Sequence, residues 1–513
     1  MSKTITLIAF ILIFFLGFVL RTYKIESNPP GFFADEASIG FNDLKLLETG
    51  RDEHGIPFPI FFRSFGEYGL PMAFYTSTPF IAILGMSEFS VRLATVVVGF
   101  LCIIFTSLFT KQVSNFKTAL AVGFLMAISP WHFLMSRWGV AYIYVPTLIS
   151  MAMYFFIRGV RQKKFLPLGF FLFGLSMYTY FPGLYVAPLL LFGGCVLLFL
   201  KTRFKTFQKS ILLGVLLFAV TLLPIYFGFK SGDLWTRWNS VNTVPLGEKK
   251  VKQTIQFYFD HFSLDFLFRK GDIDMPGHFI TRHSVRGIGE LYWFQLPLLI
   301  IGIFYTLIKK RTIGHLMMFW LLLLYPIGSS LANDGAYANR SIVGIIPLTF
   351  FSGVGLIALL NPINGLRKSL LKVLLYGTLA LIISLSFFQF FNKYFYEYPL
   401  YSSDFWGWQY GPRDIMKYFL LVENQYDDLY LSGEFNGATI FPKFYDPENH
   451  CLNKCQIGNF YEQPEIVNPA RKQIFSLSPD YLNKSLFKGR FKVKQTIYYP
   501  NSSVAFYIGE IVE

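Results

Sequence analysis

Long apolar runs alternate with short polar segments over the first 391 residues of the chain. A bilayer core takes about 20 helical residues. Eleven stretches fit it: 4–20, 91–109, 118–135, 140–157, 165–181, 183–200, 211–229, 292–308, 314–331, 341–360 and 371–391. Pro130, Pro182, Pro224 and Pro347 interrupt several of them. Such kinks are tolerated in membranes because neighbouring helices re-satisfy the freed carbonyls. The stretch 165–200 also reads as one broken helical hairpin, and 72–86 stays outside the count. Beyond residue 391 the pattern changes. It predicts a helix near 412–424, a strand at 428–432, a helix near 436–445, and strands at 472–477, 493–499 and 504–511. Alternating strands and helices make a small α/β module. The expected fold is an α-helical polytopic membrane protein of about 11 transmembrane helices over 1–391, with long loops at 21–90 and 230–291, followed by a small α/β domain at 392–513.

Composition agrees with that pattern. Of 513 residues, 53% are hydrophobic, 60 are Phe and only 15% are charged, against about 25% charged in ordinary globular domains. A cytosolic globular enzyme of this size would leave apolar side chains with nowhere to bury. Abundant aromatics and the lack of a short repeat exclude a disordered or fibrous chain. The net charge of +15 contains no basic run long enough to track nucleic-acid phosphates, so nucleic acid is not an expected partner.

The charge has a position instead. Lys3, Lys111, Lys117, Arg158, Arg161, Lys163, Lys164, Lys201, Arg203, Lys205, Lys209, Lys309, Lys310, Arg311, Arg367, Lys368 and Lys372 fall in alternate loops that hold no acid. All 31 acidic residues fall on the other side: in 21–90, in 230–291, at Asp334 and after 392. By the positive-inside rule the basic loops are cytoplasmic. The N-terminus is then inside, and 392–513 is extracytoplasmic, on a plasma (inner) membrane. Arg21-Thr22-Tyr23-Lys24 follows the first span where a cleavage site would need small residues, so that span reads as retained.

On the outer, oxidising side, Cys451 and Cys455 can close a short disulfide or remain two free thiols. Cys102 and Cys195 lie in spans and read as packing residues. His54, His132 and His261 are scattered, and no His/Cys ligand cluster, phosphate loop or nucleophile–base spacing occurs. No cofactor is assigned, and a divalent cation stays open.

No Asp or Glu lies within any of the eleven spans. Transport paths usually carry such groups, so the pattern favours chemistry at the outer surface. The first outer loop is the richest segment: Asn28-Pro29-Pro30-Gly31-Phe32-Phe33-Ala34-Asp35-Glu36-Ala37, opening a helix that runs to Thr49-Gly50. Carboxylates beside an apolar surface have their proton affinity raised, which suits a general base. The competing reading is a helix cap, with Asp35 at the N-cap and Glu36 in the first turn.

This loop resembles the first outer loop of the GT-C glycosyltransferases, in particular glycosyltransferase family 39, which holds the protein O-mannosyltransferases and resembles the lipid A aminoarabinose transferases. The resemblance is carried by Phe33-Ala34-Asp35-Glu36-Ala37, Leu47-Glu48-Thr49-Gly50-Arg51-Asp52 and Gly55-Ile56-Pro57. It continues through Glu67-Tyr68-Gly69-Leu70-Pro71, Phe74-Tyr75, the run from Leu84 to Leu93, Ser129-Pro130-Trp131-His132 and Ser136-Arg137. It covers about residues 1–360.

The resemblance implies an inverting transfer of a sugar from a polyprenyl-phosphate or diphosphate carrier to a protein, lipid or glycan acceptor at the outer face. It implies Asp35 as base, Glu36 as its helper and Glu67 as a substrate-positioning group. Cations must meet the phosphate, and Arg's planar fork suits that task. Arg137, Arg282 with His283, and Arg340 stand at the outer interface, where each also reads as a lipid-facing anchor. Residues 136–146 lack the acid that the aminoarabinose transferases carry there, and Tyr68-Gly69 replaces their basic residue and Pro. Those departures argue against lipid A as acceptor. A transporter or flippase of lipid-linked saccharides is the alternative from another class.

Overall fold

The computed structural model describes residues 3–202, 204–241, 247–275, 278–333, 335–365, 369–451, 454–458 and 464–512. Arg203, Asp334, Arg367 and Lys368, used above to read the charge asymmetry, lie outside the described residues. Among those described, seven helices are long and apolar enough to cross a membrane. They are Glu88–Val113, Ala141–Arg161, Gly183–Lys201, Lys205–Ser231, Ile313–Ser330, Ala338–Ile363 and Leu370–Tyr401.

An eighth candidate is the pair Phe116–Ile128 and Pro130–Ser136, bent by 60°. The bend falls where Pro130 has no N–H to continue the ladder. The other expected spans are shorter helices: Leu7–Thr22, Gln295–Lys309 and Leu166–Ser176. The last stops early because the chain doubles back before Pro182. A Cβ at Gly183 would stand 2.4 Å from the Ser176 carbonyl oxygen, so only glycine fits that turn. The apolar window of Leu370–Tyr401 has no buried residue. Such a surface is compatible with lipid and not with water, and the chain is a multi-pass membrane protein.

At one end of the bundle the long loops fold over the helices. Helix Ala34–Thr49 ends at Gly50, whose φ of 67° is the left-handed conformation that glycine adopts freely. Strands β1 (Phe62–Ser64) and β2 (Glu67–Gly69) form an antiparallel hairpin, turned by Phe65 and Gly66 at φ 51° and 83°. Helix Met72–Leu84 follows, and helices Asp233–Val241 and Glu248–Asp260 come from the second long loop.

The C-terminal part holds β3 (Asp428–Ser432), β4 (Cys455–Gly458), β5 (Gln473–Leu477), β6 (Phe491–Tyr498) and β7 (Val504–Ile511). Their order is β4-β3-β5-β7-β6, parallel through the first three and antiparallel thereafter. Strand β4 is too short and polar to stand out in the sequence. It begins at Cys455, which is disulfide-bonded to Cys451.

This module is pinned to the first loop. Arg413 Nε donates to Glu88 (2.7 Å), as does the Tyr445 hydroxyl (2.6 Å), and Lys443 meets Glu53 (2.7 Å). The Phe32 and Phe444 rings pack at 4.7 Å.

Candidate active site

The floor of the site is set by one buried carboxylate. Helix Ala34–Thr49 has Phe33 at its N-cap, not Asp35. Glu36 reaches back to accept the Phe33 N–H at 3.0 Å, half of a capping box. Its carboxylate also accepts the Gly139 N–H (2.8 Å) and both Nε and Nη2 of Arg92 (2.9 and 3.0 Å). Gly139 is required there, since its Cβ would lie 3.0 Å from Glu36 Oε1.

Arg92 spends its remaining donors on the carbonyls of Ile25, Pro29 and Gly31. Both side chains are fully buried. Removing one partner of such a pair costs about 3–5 kcal/mol, because the other charge is left uncompensated. Glu36 is therefore a structural anchor, turned away from the cavity, and the helper role expected of it has no free lone pair to work with.

Asp35, one residue earlier, points the other way. It lines a cavity of about 530 Å³ together with Glu67, Arg237, Arg282, His283 and Arg340. Aromatic walls come from Phe33, Tyr142, Tyr180, Phe279, Tyr337 and Trp406. Among the described residues its carboxylate accepts no hydrogen bond. Burial pushes the Asp35 carboxyl above its ordinary value, opposed by the nearby positive charges of Arg237 and Arg282.

Two cations are thereby aimed into the same space as the carboxylate. Arg237, on the short helix Asp233–Val241, donates to Glu67 at 2.6 Å. Burial alone would weaken its charge, but Tyr180 and Glu67 raise its basicity. Tyr68 N–H, beside Glu67 in β2, donates to Thr236 (3.2 Å), which ties the hairpin to that helix.

Arg282 stacks over Phe33 at 4.0 Å and donates to the carbonyls of Trp406 (2.6 Å) and Gly407 (3.3 Å). Its Nε has no partner among the described residues, and burial lowers its basicity. Arg340 stacks over Tyr337 at 4.9 Å.

His283 completes the wall as a neutral group. Burial lowers its imidazolium to about 4, so at neutral pH it donates Nδ1–H to Asp272 (3.0 Å) and keeps Nε2 as an acceptor. Asn339 Nδ2 lies 3.5 Å from that nitrogen. Burial opposes ionisation of Asp272, but donors from His283 and the Ala338 N–H outweigh it and hold the carboxyl below its usual value. Glu290, 2.7 Å from the Ser284 hydroxyl, is driven well above its usual value by burial and by Asp272.

The structure thus gathers Asp35, Glu67, Arg282, His283 and Arg340 around one cavity and leaves two expected residues outside it. Glu36 lies beneath the floor. Arg137 is fully buried and donates to the Tyr394 hydroxyl (3.1 Å), to the carbonyls of Leu20 (3.2 Å) and Arg21 (2.8 Å), and to that of Asn28. Four of its five N–H donors are thus placed on backbone or phenol, away from the cavity.

Sequence reasoning missed Arg237 and Asp272. Arg237 had a faint signal, a lone cation between Trp235 and Trp238 on an amphipathic outer helix. Asp272 had none. Among the described residues no three His, Cys, Asp or Glu side chains converge to hold a metal ion.

Residues 69–227 match the family model of the dolichyl-phosphate-mannose-protein mannosyltransferases. The chain is similar in structure to ArnT from Cupriavidus metallidurans bound to undecaprenyl phosphate, with a TM-score of 0.61 and 12% identity over 99% of this chain and 98% of that one. It is also similar to the Archaeoglobus fulgidus oligosaccharyltransferase tethered with an acceptor peptide containing the NVT sequon. That likeness has a TM-score of 0.60 and 13% identity, over 98% of this chain and 74% of the other. No curated protein sequence matches the chain. At such identities the structural likeness is one of fold. Together with the family match, it classes the chain as a membrane glycosyltransferase of the GT-C type.

Proposed function

We propose that the protein is an inverting glycosyltransferase that moves a sugar from a polyprenyl-phosphate or diphosphate carrier to a protein, lipid or glycan acceptor. Asp35 is its base. The observation that carries this reading is the unpaired Asp35 carboxylate facing Arg237 and Arg282 across one cavity. A carboxylate with raised proton affinity takes the acceptor's proton as the acceptor oxygen or nitrogen bonds to the sugar C1. The bond from C1 to the phosphate oxygen breaks, and its electron pair leaves with the phosphate.

Arg237, Arg282 and Arg340 stabilise that departing charge, and Glu67 holds Arg237 in place until donor arrives. Neutral His283 accepts a sugar hydroxyl at Nε2. The bound undecaprenyl phosphate of ArnT supports the donor class, and the tethered peptide of the archaeal enzyme makes a protein the first acceptor to try.

The charge asymmetry supports a cytoplasmic N-terminus, a catalytic unit at 1–391 and an extracytoplasmic unit at 392–513. Protease digestion of spheroplasts, which reaches only the outer side, tests that orientation.

The decisive experiment uses purified protein and a polyprenyl-phosphate sugar donor. Asp35→Asn should retain donor binding and lose turnover. Undiminished turnover in that variant would remove Asp35 from the mechanism. A flippase, having no need of a base, would keep its function.

A further inference from the structure

At the end of the bundle opposite the Asp35 cavity, a second cavity of about 430 Å³ opens where four helix ends meet. Gln112 and Val113 close the helix Glu88–Val113, Arg161 closes Ala141–Arg161, and Lys201 closes Gly183–Lys201. Ile313 and Gly314, which also line it, begin the helix Ile313–Leu324. Arg311, just ahead of that helix, is the third cation.

The loops on this face carry no Asp or Glu at 111–117, 158–165, 201–209 or 309–312, so nothing acidic in them competes for the three charges. Two of the cations would stand here on simpler grounds, since Arg161 and Lys201 lie in the last turn of their helices, where the dipole favours a positive charge. That accounts for their presence and leaves the open space unexplained.

Their donors are only partly used. Arg161 Nη2 donates to the Gln112 carbonyl (2.7 Å) and Arg311 Nε to the Leu307 carbonyl (3.0 Å). Among the described residues their other nitrogens, and Lys201 Nζ, make no further bond. The Gln112 side-chain Oε1 is buried without a donor.

We infer that this cavity binds the headgroup of an anionic glycerophospholipid, with its phosphate between Arg161, Lys201 and Arg311 and a headgroup hydroxyl on Gln112. A glycerol headgroup has hydroxyls to give Gln112 Oε1, whereas a choline headgroup has no O–H or N–H to donate. Two lipid-facing strips lead to the cavity mouth: Phe199 and Leu200 on one helix, and Phe304 and Ile308 on another, each 60–70% exposed. Those strips suit acyl chains and give free phosphate nothing to lie against. Basic pockets between membrane helices bind anionic headgroups in this way.

The test is native mass spectrometry of the full-length protein, titrated with phosphatidylglycerol, with phosphatidylcholine and with inorganic phosphate. Phosphatidylglycerol should be retained in preference to phosphatidylcholine, and millimolar phosphate should not displace it. The triple variant Arg161→Gln/Lys201→Gln/Arg311→Gln should lose at least about tenfold in affinity. Lys309→Gln/Lys310→Gln, which removes charge from the same face outside the cavity, should bind as the parent does.

Equal loss in both variants would mean a diffuse surface potential and overturn the site. Undiminished binding in the triple variant, or displacement by phosphate alone, would overturn it as well. If the triple variant fails to fold, single Lys201→Gln with the same ligands decides the matter, because Lys201 holds no other group in place.

Discussion

Asp35 and Glu36 are adjacent, chemically alike and on the same first helical turn, yet they sit in opposite environments. Glu36 belongs to a buried layer in which Arg92, Arg137 and the backbone of 25–33 satisfy one another. Asp35 belongs to a cavity wall where, among the described residues, groups are left wanting: its own carboxylate and Arg282 Nε. The difference teaches where reactivity resides. A fully hydrogen-bonded ion pair has no capacity for a substrate, whereas an unpaired group beside a void keeps its capacity and is held there by the satisfied layer beneath.

The largest expected effect falls on the cavity wall. Asp35→Asn should lower turnover by about a hundred- to ten-thousandfold, the range for removal of a general base, with no loss of melting temperature. Sugar transfer from a polyprenyl-phosphate donor reads the first quantity and circular dichroism melting the second. The anchor should show the reverse. Glu36→Gln should lose about 3–5 kcal/mol of stability by stranding Arg92, while the protein that remains folded still turns over. A Glu36→Gln variant that melts normally but is inactive would erase the contrast.

A smaller effect is expected at the rim. Arg237→Gln breaks a pair with Glu67 in which both side chains are about one-third exposed, so stability should fall by about 1 kcal/mol or less. Donor affinity, measured by titration of the carrier lipid, should weaken by about tenfold, the loss of one charge-assisted hydrogen bond.

The smallest effect depends on pH. Because burial raises the folded-state value of Asp35 above 3.8, the fold prefers the protonated form. That preference supports stability below 3.8 and is lost as pH rises through the folded value. Asp35→Asn should therefore melt slightly higher than the parent at neutral pH, and the gap should close in acid. Turnover of the parent should fall as pH drops through the same folded value, since only the ionised carboxylate accepts a proton.

Much of the architecture was legible along the chain. Spans such as 211–229 and 371–391 are long apolar runs, and a helix that must face lipid cannot hide that pattern. The α/β module was legible from its alternation, except for β4. That strand has four residues and is defined by its pairing with β3 and by the Cys451–Cys455 link rather than by its own composition. The stretch 165–181 was over-read, because apolarity does not report the tight turn around Ser176 and Gly183. Arg137 and Glu36 were over-read for another reason. Charge near the interface is visible in sequence, but whether a charge is already spent on a carbonyl or a partner is not.

By itself, the sequence determined that this protein crosses a membrane, that its acids and its short basic loops segregate, and that a carboxylate pair opens a helix just after the first span. These are properties of local composition and order, which the chain carries before it folds. Only the tertiary structure decided which carboxylate of the pair is anchored and which is exposed to a cavity. It also brought Arg237 and Arg282, more than 200 positions away in the chain, to face Asp35. The physical reason is that hydrogen-bond satisfaction and desolvation belong to the assembled neighbourhood, built here from the first loop, the second loop and the Trp406–Gly407 backbone, and no one of these segments contains it.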